Sequence, residues 1–280
     1  MVVFHSEKIS DRITRIYGVF GDTGEQMYLV EGAERAALID TGSGVGDLKG
    51  HIMSLSKLPV VVLLSHGHVD HGMGTPQFQE IYMSHLDKEI YRAHNSLEMR
   101  KSALSSSAKF TALEEEDFLL EDDPDRFSDL RNGARFDLGG VTVEAVSCAG
   151  HTPGSMMFLI PEERTLFTGD ACNYFTMLQD KSCLGLSTYE QNLKRAHEYT
   201  RGQYDTILMS HGRVSAPDTL IEDVLEVCRD IQTGADDAIP FAFMGTDGLV
   251  AKAFGDQRGP FMRTDGGFGN IVYDPNRILE

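Results

Sequence analysis

The strongest constraint on this chain is a short apolar run that ends abruptly in a histidine cluster. Pro59 to Leu64 reads PVVVLL, and SHGHVDHG follows at once from Ser65 to Gly72. The run is β-branched and apolar without alternation. It predicts a strand in a sheet interior, covered on both faces. The cluster sets three histidines and Asp70 within six positions. Side chains alternate with period two in an extended segment, so His66 and His68 point the same way. Asp70 and His71 fall beyond a turn, facing a second point nearby. Four such groups are costly to bury dry and unpaired, so they point to a cation that organises them.

Three more candidate donors stand after strand-like stretches, each beside glycine: His151 in GHTPGS, Asp170 in FTGDA and His211 in MSHG. Imidazoles and carboxylates suit zinc first, with iron or manganese as alternatives. Seven donors exceed what one four-coordinate zinc takes. They fit two divalent cations roughly 3.5–4 Å apart with a bridging oxygen. His5, His51, His85, His94 and His197 lack such companions and are read as ordinary surface or packing residues.

Around these motifs the chain alternates strands and helices. Ile13–Phe20 and Gln26–Gly32 read as strands joined through Gly21, Asp22 and Gly24, and Ala36–Asp40 as a third. Residues 86–132 read as a helical and acidic insertion. Its eight acids between Glu114 and Asp125 are taken as a solvated face. Short strands return after Asn132, with a hairpin at Gly139-Gly140. Ser187 to Glu190 has capping-box spacing, which predicts a helix start there. Ser215, with Pro217 in the first turn, predicts a second helix. Its apolar stripe (Leu220, Ile221, Val224, Leu225, Cys228, Ile231) reads as core, and Gly234 ends it. The order of elements predicts an α/β class, and the chain is read as one domain over residues 1–280.

Acids outnumber bases 43 to 25, a formal charge of -18. That balance repels nucleic-acid phosphates and anionic membranes, so neither is expected as a partner. The start, MVVFHSEKISDR, shows no targeting pattern, and no apolar run is long enough to span a bilayer. Four cysteines (148, 172, 183 and 228) with no CxxC fit a reduced cytoplasm. The oligomeric state is left open, a dimer included.

Asp40-Thr41-Gly42, the HGHVDH run from His66 to His71, GHTPGS from Gly150, Gly169-Asp170 and Ser210-His211-Gly212 occur in this order. In this the chain resembles hydrolases of the metallo-β-lactamase fold superfamily, on the glyoxalase II and lactonase side rather than the true β-lactamases. The resemblance implies an αββα sandwich of two mixed sheets flanked by helices, with the metal site at one edge. It implies that His66, His68 and His151 hold one metal, that Asp70, His71 and His211 hold a second, and that Asp170 bridges them. It also implies that Asp40 supports the loops that carry the metal donors. Tyr174 lies one residue further from the bridging aspartate than the lactonase pattern has it.

The chemistry expected is hydrolysis of a small carboxylic ester, thioester or lactone. Asp70 and Asp170 are expected to manage the nucleophile and proton, and Tyr174 to donate a hydrogen bond. Arg213 is read first as a surface or loop-bracing ion pair, with a substrate carboxylate as its other candidate partner. A phosphodiesterase, a mono-iron dioxygenase and a non-catalytic metal-stabilised binding protein are the alternatives to be tested.

Overall fold

The computed structural model describes residues 3–18, 25–105, 113–255, 259 and 261–280. The end of the first predicted strand (Val19-Phe20) and the turn at Gly21, Asp22 and Gly24 lie outside the described residues.

The first sheet has seven strands in chain order. They are β1 (Phe4–Lys8), β2 (Ile13–Gly18), β3 (Gln26–Glu31), β4 (Ala36–Ile39), β5 (Val60–Leu63), β6 (Ile81–Met83) and β7 (Ser128–Asp129). The pairings from β1 to β4 are antiparallel and those from β4 to β7 are parallel. β5 sits between two parallel neighbours. Its Val61 and Leu63 enter the core on one face, and Val62 and Leu64 the core on the other. That is why the run shows no polar alternation.

The second sheet comprises β8 (Arg135–Asp137), β9 (Thr142–Ser147), β10 (Met156–Ile160), β11 (Thr165–Phe167), β13 (Thr206–Leu208) and β14 (Ser215–Ala216). Between β11 and β13 in sequence, β12 (Thr176–Leu178) leaves this sheet. It pairs in parallel with β19 (Ile271–Tyr273), in a four-stranded sheet completed by β15 (Ile239–Phe243) and β16 (Thr246–Val250). β17 (Phe254–Gly255) and β18 (Met262–Arg263) form a separate ladder.

The two large sheets face each other across Tyr28, Ile39, Leu63, Phe158, Phe167 and Leu208. On the outer face of the first sheet lie α1 (Leu48–Leu55), α2 (Val69–Gly72), α3 (Lys88–His94) and α4 (Leu97–Leu104). On the outer face of the second lie α5 (Leu186–Thr200) and α6 (Leu220–Thr233). The layering is helix, sheet, sheet, helix. No helix among the described residues is long and apolar enough to cross a membrane.

Of the 86–132 stretch, residues 86–105 and 113–132 are described: α3 and α4 are helical, β7 extends the first sheet, and Tyr91, Arg100, Leu104 and Phe127 are buried. Two local readings are corrected. Ser187 does not cap α5, because the helix starts one residue earlier with Gly185 at its N-cap. The amides of Leu186, Ser187 and Thr188 instead donate to the carbonyls of Arg277, Ile278 and Glu280. The chain's last residues therefore satisfy the orphan donors that a capping side chain would take. Ser215 lies in β14, and α6 begins only at Leu220. Its stripe is buried apart from half-exposed Leu225, with Val227 joining it, and Gly234 closes the helix in the left-handed conformation at φ 68°.

Candidate metal centre

The site forms where strands of both sheets end at one edge. β5 delivers His66 and His68, and α2 turns Asp70 and His71 back towards them. The β9–β10 turn delivers His151, the end of β11 Asp170, and the end of β13 His211. Backbone bonds lock the two sheets together here: Met156 N–H donates to the Ser65 carbonyl, and Gln26 N–H to the Ser210 carbonyl.

Three overlapping groups bring donor atoms within 4.8 Å of one another: His66, His68 and His151; His66, His71 and Asp170; Asp70, His71 and His211. His68 Nδ1 lies 2.9 Å from His151 Nε2, and His71 Nε2 lies 3.2 Å from His211 Nε2. Asp170 Oδ2 stands 3.5 Å from His71 Nε2, 3.7 Å from His151 Nε2 and 3.3 Å from His211 Nε2. Asp70 Oδ2 stands 3.3 Å from His211 Nε2. All seven donors named from the sequence thus converge on one place. Tyr174 lies at its side. A Cβ on Gly212, whose φ is 64°, would come within 2.3 Å of the tyrosine hydroxyl. Its ring packs edge-on to Phe268, and the Arg213 guanidinium stands over that same Phe268 ring.

Neighbours fix which ring nitrogen faces inward. Ser65 donates its hydroxyl to Asp40 Oδ2 at 2.8 Å, which leaves its oxygen to accept from His66 Nδ1 at 3.0 Å. His66 Nε2 is then buried with no hydrogen-bond partner. His71 Nδ1 donates to Asp40 Oδ2 at 2.9 Å. His151 Nδ1 donates to the Met177 carbonyl at 2.8 Å. Met177 lies in β12, so the C-terminal sheet braces a donor loop. An orphaned imidazole nitrogen, and inward nitrogens facing each other at hydrogen-bond distance, are what a bound cation would satisfy. The residues fit a metal pair.

The electrostatics divide the site. Burial, then His71, His68 and His151, hold the His66 pKa well below its ordinary value. Burial, His151 and His94 do the same to His68. At His71 burial also opposes charge, but Asp70, Asp170 and Asp40 outweigh it and lift the pKa well above normal. His211 is pushed up to about 9, because Asp170 and Asp70 prevail over burial. Asp170 is held well below the usual carboxylate range, with His211 and His71 overcoming its burial. His66 and His68 are therefore held neutral, whereas His71, His211 and Asp170 form a charge-paired cluster.

The model of the metallo-beta-lactamase superfamily matches residues 21–211. The chain belongs to the metallo-β-lactamase superfamily. Lactamase-like protein ptaB of Pestalotiopsis fici is 30% identical over 172 residues, covering 59% of this chain and 46% of that protein. An atrochrysone carboxyl ACP thioesterase of Aspergillus chevalieri is 28% identical over 185 residues, covering 62% and 50%. The hydroxyacylglutathione hydrolase GloC of Haemophilus influenzae is 28% identical over 177 residues, covering 63% and 72%. The chain thus spans about half the length of the fungal relatives it matches. A metallo-beta-lactamase from Pontibacter korlensis superposes with a TM-score of 0.57 at 20% identity, covering 80% of this chain and 98% of that one. An archaeal superfamily protein from Sulfolobus tokodaii gives 0.54 at 19% identity, covering 86% and 90%. These structures share the metallo-β-lactamase fold.

Sequence reasoning missed three residues at this superfamily site. His94 stacks on His68 with ring centroids 4.7 Å apart, and its Nδ1 accepts from the Val69 N–H. It is not the isolated histidine that its surroundings in the sequence suggest. Glu25 is bonded to Ser43, and its carboxyl is pushed up to about 7 by burial and then by Asp70. Asp87 is wholly buried behind the histidine loops. None of the three stands in a motif, so spacing carries no signal for them.

Proposed function

We propose that this chain is a dinuclear metal-dependent hydrolase that cleaves a small carboxylic thioester, ester or lactone. The observation that supports it most is the convergence of two donor triads on Asp170. A purely structural zinc site needs only one closed set of four ligands. The thioesterase and hydroxyacylglutathione hydrolase relatives favour the thioester within this class. His66, His68 and His151 would hold one cation, Asp70, His71 and His211 the other, and Asp170 both. Zinc is the metal we assign from the donor set, with iron or manganese also suited to it. Two such cations, when bound, supply Lewis acidity and an acidified water at neutral pH.

The protein's own part is positional. The Asp170 side chain is 13% exposed and ringed by imidazoles, so it fixes the point of attack with little reorganisation. The Asp70 side chain, 29% exposed, is open enough to exchange a proton with solvent and pass it to the departing alkoxide or thiolate. Tyr174 is the donor we assign to the oxyanion or leaving group. Burial and Asp170 raise its pKa, which keeps the phenol protonated as a donor requires. We read residues 1–280 as one hydrolase domain acting on a small molecule, without nucleic acid or membrane. The four buried free thiols support a reducing cytoplasm.

The test is metal content followed by turnover of a thioester, ester and lactone panel beside bis-p-nitrophenyl phosphate. Two metals per chain and thioester turnover abolished by Asp170→Ala are expected. Fast phosphodiester turnover with inert esters would make the chain a phosphodiesterase. Oxygen consumption with one iron would make it a dioxygenase. Bound metal without turnover would make it a binding protein.

A further inference from the structure

Asp87 follows β6 in a single helical turn and is fully buried. Its Oδ2 accepts from the Gly67 N–H at 3.0 Å and from the Thr152 hydroxyl at 2.7 Å. Its Oδ1 accepts from the Gly154 N–H at 2.7 Å. Gly67 lies between His66 and His68, and Thr152 follows His151. One carboxylate therefore ties together the two loops that carry the whole first donor triad. The fit is close: a Cβ on Gly154 would come within 2.6 Å of the Asp87 carboxyl carbon. Ser155 completes the network, with its oxygen 2.9 Å from Thr152 Oγ1 and accepting from the Thr152 N–H at 3.0 Å. The second triad has a different anchor. His71 is held by Asp40, and none of the Asp87 bonds reaches the segments of Asp70, His71 or His211.

We infer that Asp87 is the positioning residue of the first metal site alone, setting the separation of the His66–His68 loop from His151. This deepens the two-metal reading and rests on it. The first triad is made of imidazoles with no carboxylate of its own, so it binds a cation well only if its nitrogens are already held together. The second triad contains Asp70, and Asp170 stands between the two. Loss of the Asp87 clamp should therefore separate two sites that otherwise fill together.

The experiment titrates chelator-treated protein with Co(II), reading stoichiometry and the visible ligand-field spectrum. The variants are Asp87→Asn, the milder Thr152→Val, and two reference proteins, His151→Ala and His211→Ala. Asp87→Asn should bind Co(II) at the first site about 10–100-fold more weakly. The spectrum of its one-cobalt form should match that of His151→Ala. Thr152→Val should shift in the same direction by less, which keeps the test open if Asp87→Asn folds poorly. Unfolding of the cobalt-free variants separates a local effect from general damage. The inference is overturned if both sites in Asp87→Asn keep wild-type affinity, if its spectrum matches His211→Ala, or if both sites weaken equally in both variants. A wild-type chain that binds no Co(II) overturns the two-metal reading as well.

Discussion

Metal-free protein should lose stability more steeply than metal-loaded protein as the pH rises from about 7.5 to 9. The cause is the charge-paired half of the site. Without cations, His71 and His211 keep protons that the unfolded chain releases near its ordinary imidazole pKa of 6.5. Their folded pKa values are raised, so the stabilisation is complete below 6.5 and lost as pH climbs through the folded values. For His211 the rise from 6.5 to about 9 corresponds to on the order of 3 kcal/mol. One retained proton gives a slope of about −1.4 kcal/mol per pH unit, and His71 adds to it with the same sign. His66 and His68 are neutral in both states in this window, and Asp170 is ionised in both. Glu25 loses its contribution lower, between 4.5 and about 7. Urea denaturation of chelator-treated protein across this range measures the slope, with His211→Gln as the variant that should flatten it. Restored metal should reduce the slope, because rising pH frees the donors to bind. Metal-free protein that is equally or more stable at pH 9 than at 7.5, or a His211→Gln variant with the wild-type slope, would refute this reasoning.

Asp40→Ala should destabilise the metal-free fold by about 3–7 kcal/mol in urea titrations. It orphans the Ser65 N–H and His71 Nδ1–H at about 1–3 kcal/mol each, and forces Ala to φ 61° at about 1 kcal/mol. A loss under about 1 kcal/mol would remove Asp40 as the anchor. Tyr174→Phe should lower kcat by about 10–100-fold on a thioester with KM nearly unchanged, as loss of one donor to developing charge predicts. An equal rise in KM alone would mark Tyr174 as a ground-state contact. Deleting residues 277–280 should cost roughly 0.5–2 kcal/mol and expose the amides of Leu186, Ser187 and Thr188 to hydrogen exchange, with α6 unaffected. Unchanged protection would refute capping by the chain's end.

The donors and their orientation were legible to different degrees, and the difference is physical. His66, His68, Asp70 and His71 announce themselves because a dense run of imidazoles after an apolar strand is costly without a shared ligand. His151, Asp170 and His211 follow the same logic at other strand ends. β5 was readable because a strand buried on both faces has no polar alternation to disguise it. What aims the donors uses ordinary groups from far along the chain. His151 is oriented by the carbonyl of Met177, and a backbone oxygen leaves no mark in the residue code. Asp87 sits where any helix-opening acid would, and only the folded chain brings it against Gly67, Thr152 and Gly154. The caps failed for the same reason: Ser187 has the right spacing, but the helix already begins before it at Leu186, and its first amides are taken by carbonyls some 90 residues away. A sequence states which atoms bind because binding needs rare residue types. It leaves unsaid which tautomer they adopt, because tautomers are set by whatever acceptor the fold happens to bring within about 3 Å. The aim of the donors on this edge therefore depends partly on groups that no motif names, and Asp87 is where a substitution should separate metal affinity from fold stability.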